Sequence, residues 1–159
     1  MYGHGIATIA LGEIYGMTHD DTIKPRLERA TALIVKSQSP TGGWRYNPRP
    51  ADADISVTVL QVVALRVAKN CGLEVPQPVI DKAVTYIHRC LHKPSGGFTY
   101  IAGQGEPNSA RTAAAIYSLQ VCGLYNDDLI PPGSKFLFDK FGKDLSLIHI
   151  SEPTRRYAI

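Results

Sequence analysis

Long apolar runs are missing from this chain. Nowhere does it hold the roughly 18 consecutive apolar residues that a membrane-spanning helix requires, so the sequence predicts no integral membrane segment. Runs of one charge are missing too. Its 17 basic and 14 acidic residues are interspersed, and without a Lys/Arg cluster there is no electrostatic footprint for nucleic acid. Cysteine is scarce: Cys71, Cys90 and Cys122 stand far apart with no C-x-x-C, and 3 thiols cannot complete a disulfide framework. They read as small buried apolar residues in a reduced compartment. The start, MYGHGIATIALGEIYGM, lacks the basic region and cleavage site of a signal peptide, and Glu13 breaks its apolar run. The compartment is left open.

Two features bear on what the sequence represents. The chain enters a helical pattern immediately after Met1, as if it begins partway through an element. At the other end, LSLIHISEPTR (Leu145 to Arg155) resembles the translation of a transposase-type sequencing adapter. The reading therefore takes residues 1–144 as one partial repeat domain and sets 145–159 aside as a read-through artefact.

What the chain does contain is an internal repeat. RATALIVKSQSPTGGWRY, from Arg29, aligns with KAVTYIHRCLHKPSGGFTY, from Lys82, so that Gly42-Gly43-Trp44 matches Gly96-Gly97-Phe98. Each aromatic is followed by a loop and an apolar helix, and both of those helices finish in Cys-Gly-Leu. Two kinds of helix alternate. Lys24 to Gln38, Pro78 to His92 and Pro131 to Phe141 carry a single apolar stripe and are expected to face water on one side. Asp54 to Asn70 and Ser109 to Val121 are apolar on nearly every side and are expected to be surrounded. Asp54 and Asn108 are expected N-caps. Gly16, Gly72 and Gly123 are expected to end the apolar helices, and Pro76, Pro78, Pro131 and Pro132 to open the amphipathic ones.

Gln38-x-x-x-Gly42-x-Trp44 resembles the QW motif of terpenoid cyclases, and the helix alternation resembles the prenyltransferase and squalene oxidase repeat. The resemblance implies an all-α fold, an α/α toroid of inner and outer helices, of which about two and a half repeats are present. It implies a stapling role for Gln38, Gly43 and Trp44, with the Gln side chain satisfying a helix end and the indole packing over it. His92, Gly97 and Phe98 would be the counterparts in the second unit. Edge helices of an unclosed array would expose apolar faces and favour self-association.

Asp52-Ala-Asp54-Ile-Ser56-Val resembles the D-x-D-D-T-A signature of squalene-hopene cyclases. That would make Asp54 the acid that protonates a polyene and Asp52 its acidic neighbour, although Ile55 stands where the signature has a further Asp. Against this stands Asp54 as a plain N-cap and Asp52 as a loop carboxylate facing Arg49 or Arg45. Tyr46, Thr58, Gln61, Tyr100, Arg111 and Thr112 are candidates to line a ring cavity for an apolar or carbocationic ligand.

Protein prenyltransferase β-subunits bind zinc through Asp, Cys and His, but no Asp-x-Cys precedes a suitable His here. His88 and His92, four apart on a helix, form at most a pair without a third ligand, and His4 reads as a capping or packing residue. No metal or cofactor is therefore assigned. The favoured expectation is a repeat protein binding an apolar, isoprenoid-like ligand or a partner without catalysis. An isoprenoid cyclase comes second and a zinc-dependent prenyltransferase subunit third.

Overall fold

A computed structural model describes residues 1–141; the segment set aside above, 145–159, lies outside the described residues. Among the described residues six helices account for the greater part: α1 (Tyr2–Thr18), α2 (Lys24–Lys36), α3 (Ile55–Asn70), α4 (Gln77–Arg89), α5 (Ser109–Val121) and α6 (Ile130–Phe141). No strand occurs among the described residues. The protein is all-α.

The helices fall into two sets. α1, α3 and α5 stand side by side in a row, with α3 in the middle, while α2 packs on α1 and α3, α4 on α3, and α6 on α5. The apolar character of α3 follows from that position. Ile55, Val57, Val62, Ala64, Leu65 and Ala68 are all removed from solvent, and each large aliphatic buried this way contributes about 1.5–3 kcal/mol. The amphipathic α4 buries Ala83, Tyr86 and Ile87 and turns Asp81, Thr85 and His88 to water.

The equally apolar α5 departs from expectation. Ala113 and Tyr117 are exposed, and the main neighbours of this helix among the described residues are α3 and α6. α1 likewise leaves Ile6, Ile14 and Met17 in water. What lets α1 approach α3 closely is small residues: a Cβ on Gly5 would lie 2.6 Å from Gln61 Nε2, and one on Gly12 would lie 2.3 Å from Val67 Cγ1.

Several helix ends differ from the sequence reading. α2 stops at Lys36 and α4 at Arg89, so Gln38 and His92 lie in the following turns. Gly16 falls inside α1, which runs on to Thr18 and ends at His19 in the left-handed region, φ 51°. Gly72 and Gly123 do sit just beyond the caps of α3 and α5, with φ 81° and 88°. Of the thiols only Cys90 is fully buried; Cys71 and Cys122 are half-buried, and none is paired.

Candidate functional site

The site grows out of two loops built on one plan. In the first, Ser39 N–H donates to Gly43 O (2.9 Å) and Trp44 N–H donates to Thr58 Oγ1 (3.0 Å). In the second, His92 N–H donates to Gly97 O (2.8 Å) and Phe98 N–H donates to Thr112 Oγ1 (3.0 Å). A threonine fourteen residues on thus anchors each loop aromatic by its backbone. The same bonds place His92 opposite Ser39, so the counterpart of Gln38 is Leu91. The extra residue of the second loop causes that slip.

The stapling roles are also redistributed. The helix-end carbonyl of Ile34, which also accepts from Ser37 N–H, takes the Trp44 indole N–H at 2.8 Å. Gln38 instead donates to Gly42 O (2.7 Å) and Val79 O (2.8 Å), tying its loop to the next amphipathic helix. The Phe98 side chain carries no N–H donor. Thr99 secures a different helix-end carbonyl: its backbone N–H donates to Cys90 O at 2.9 Å, and its hydroxyl is shared between Ile101 O (2.7 Å) and Cys90 O (3.1 Å). His92 bonds only locally, to Ser95 Oγ.

Three residues expected to line a cavity face packed interior instead. Thr58, Gln61 and Thr112 are fully buried. The two threonine hydroxyls are used by the loops, and Gln61 donates to Met1 O at 3.1 Å.

The other three candidates do converge. Tyr46 and Tyr100, each two residues past its loop aromatic, join hydroxyl to hydroxyl at 3.0 Å. Tyr2 stacks on Tyr46 with ring centroids 6.5 Å apart, and the Arg111 guanidinium lies 5.2 Å from the Tyr100 ring centre. Tyr46 is 53% exposed, so the cluster is an aromatic surface with one cation on its flank.

Asp54 lies beneath it, fully buried. It caps α3, its Oδ1 accepting from Val57 N–H at 2.8 Å, as Asn108 caps α5 at 2.9 Å. Tyr100 O accepts from Ile55 N–H next door, at 2.9 Å. Asp54 Oδ2 has no well-formed hydrogen bond. Burial pushes the Asp54 carboxyl above the usual carboxylate range, opposed by the Val57 N–H, the Tyr100 hydroxyl and the Arg45 guanidinium. Burial likewise raises Tyr100. Asp52 lies outside this cluster, paired with Arg45 at the surface.

Comparison with known proteins finds no matching family model, no matching curated protein and no matching solved structure.

The histidines are accounted for separately. His88 Nε2 meets Asp127 Oδ2 at 2.9 Å, linking α4 to the loop before α6, while His4 Nε2 bonds Ala30 O at 2.9 Å and fastens α1 to α2. His88 and His92 therefore have different partners, and among the described residues no three His, Cys, Asp or Glu side chains gather to hold a metal.

Sequence reasoning missed Tyr86, whose buried hydroxyl donates to Ala53 O at 2.6 Å and steadies the approach to Asp54. Its position on the apolar stripe of α4 was visible. Its acceptor, thirty-three residues away, was not.

Proposed function

We propose that this chain is part of an α/α toroid of the prenyltransferase and squalene cyclase type, with α1, α3 and α5 as inner helices and α2, α4 and α6 as outer ones. It binds an apolar ligand on the aromatic surface of Tyr2, Tyr46 and Tyr100 and does not transform it. The observation that carries this reading is the Tyr46–Tyr100 hydroxyl pair, because the two residues occupy the same place in successive units. A repeat that sets one tyrosine beside the next builds a continuous aromatic strip, and such faces suit apolar or cationic guests. The test is a titration with squalene carried in cyclodextrin, followed by the fluorescence of Trp44, the single tryptophan. Saturable binding is expected, weakened about tenfold by Tyr46→Ala through loss of one aromatic contact. Binding unaffected by that change would remove the strip from the account.

A cyclase reading has one observation in its favour, the buried Asp54 with its unpartnered Oδ2 and raised proton affinity. Its weakness is Ile55, whose side chain supplies no hydrogen-bond donor to stabilise the anion left after proton transfer. Asp54→Asn separates the two readings, since Asn caps a helix as well as Asp does. The native carboxyl holds its proton at a pH where the unfolded one, near 3.9, has already lost it. Stability contributed at low pH is therefore lost as pH rises through the native value, and the variant should show a flatter stability profile above about pH 4. Binding of squalene without cyclic product, in the parent and the variant alike, is the expected result. Product from the parent that disappears in Asp54→Asn would establish the cyclase.

A further inference from the structure

A second opening lies on a different part of the surface, and nothing above depends on it. It is a groove of about 670 Å³ between the end of α2, the turn at Ser39-Pro40, the loop at Arg49-Pro50 and the beginning of α4. Three cations line it, Lys36, Arg49 and Lys82, and among the described residues no carboxylate does. The nearest acids along the chain are already engaged: Asp52 pairs with Arg45, and Asp81 accepts from the Gln77 amide at 2.9 Å. None of the three cations forms an ion pair among the described residues. Val35, Pro40 and Val79 supply an apolar wall alongside.

Arg49 adds a second, independent observation. Its φ is 52°, the left-handed region, and it immediately precedes Pro50, which disfavours helical conformations in the residue before it. Glycine would take this backbone without strain, yet the position carries a long cation at the rim of the groove. Strain retained at a charged loop residue points to a use for its side chain.

We propose that this groove binds an organic phosphate, its phosphoryl group held by Lys36, Arg49 and Lys82 and its organic body resting on the Val35, Pro40 and Val79 wall. A phosphate monoester carries about −1.5 to −2 charges at neutral pH, so it answers three cations lining one groove better than a single carboxylate does. The probes are phenyl phosphate, benzoate and inorganic phosphate, titrated into the full chain at low salt with amide chemical shifts as the readout. Phenyl phosphate is expected to give saturable shifts confined to the segments around Lys36, Arg49 and Lys82. Inorganic phosphate should act on the same segments with weaker affinity, and benzoate should be weaker than phenyl phosphate.

Arg49→Gly is the decisive variant. It removes the charge and relieves the backbone, so phenyl phosphate affinity should fall about tenfold while the melting temperature holds or rises. Lys82→Ala should weaken binding similarly. Shifts spread over the lysines of the whole surface, or unchanged affinity in Arg49→Gly, would overturn the proposal. So would a short acidic peptide that occupies the groove more tightly than phenyl phosphate.

Discussion

Replacing Trp44 by alanine is expected to lower the free energy of unfolding by about 3–5 kcal/mol, the range for emptying a large aromatic site in a packed core. Trp44 is fully buried in the same core as Ile34, Ile55 and Val57, at the point where the end of α2 meets the start of α3. Alanine leaves a cavity there and removes the indole donor from Ile34 O. That carbonyl still accepts from Ser37 N–H at 3.1 Å, so the dominant loss is volume. Trp44→Phe separates the two contributions: it keeps most of the ring and forfeits the hydrogen bond, for a loss of about 1 kcal/mol plus a smaller packing defect. Denaturant unfolding checks both. Phe98→Ala should approach the effect of Trp44→Ala, since Phe98 is equally buried and anchored in the same way. A loss below about 1 kcal/mol for Trp44→Ala would mean that the loop is not fastened by its aromatic.

The second large effect is expected at the paired glycines. Gly42 has φ 98° and Gly96 φ 76°, and a Cβ on either would lie 2.4 or 2.5 Å from a backbone carbonyl of the next amphipathic helix, Lys82 O or Pro132 O. Alanine therefore meets two penalties, the left-handed backbone and a clash that only main-chain movement relieves. Together they should cost about 2–4 kcal/mol at each position. Gly72 and Gly123 provide the control. Their φ values are also positive, at 81° and 88°, but a Cβ there meets nothing within 4 Å. Gly72→Ala and Gly123→Ala should cost only about 1 kcal/mol, the backbone contribution alone. The difference between the two pairs measures how closely each loop presses on the following helix. If all four variants melted together, that close approach would be absent.

The sequence disclosed those parts of the fold that local chemistry decides. The apolar surface of α3, the single stripe of α4 and the caps at Asp54 and Asn108 are written in residues a few positions apart. So is the Gly-Gly-aromatic turn, whose recurrence marks the unit. What depends on distant partners was illegible. Thr58 and Thr112 looked like polar residues available to a ligand because their acceptor role toward loop N–H groups fourteen residues earlier leaves no trace in composition. Gly16 resembled a helix terminator by residue type, yet it sits inside α1, where a Cβ would meet only Cys71 Sγ at 4.0 Å, and the left-handed residue that ends the helix is His19. His92 resembled Gln38 by chemistry and spacing, but one inserted residue shifts the backbone pairing and puts it opposite Ser39. The candidate site was half visible: Tyr46 and Tyr100 could be named, whereas their mutual hydrogen bond required knowing that adjacent units place equal loop positions side by side.

Both loops are pinned from beneath by threonine hydroxyls of the helices that follow them. Hydrogen exchange at the Trp44 and Phe98 amides tests this most directly, because loop N–H groups without such an acceptor exchange rapidly. Both amides should exchange as slowly as the central amides of α3, and Thr58→Val and Thr112→Val should each release only the amide of their own loop. Fast exchange at either position in the unmodified protein would contradict the account.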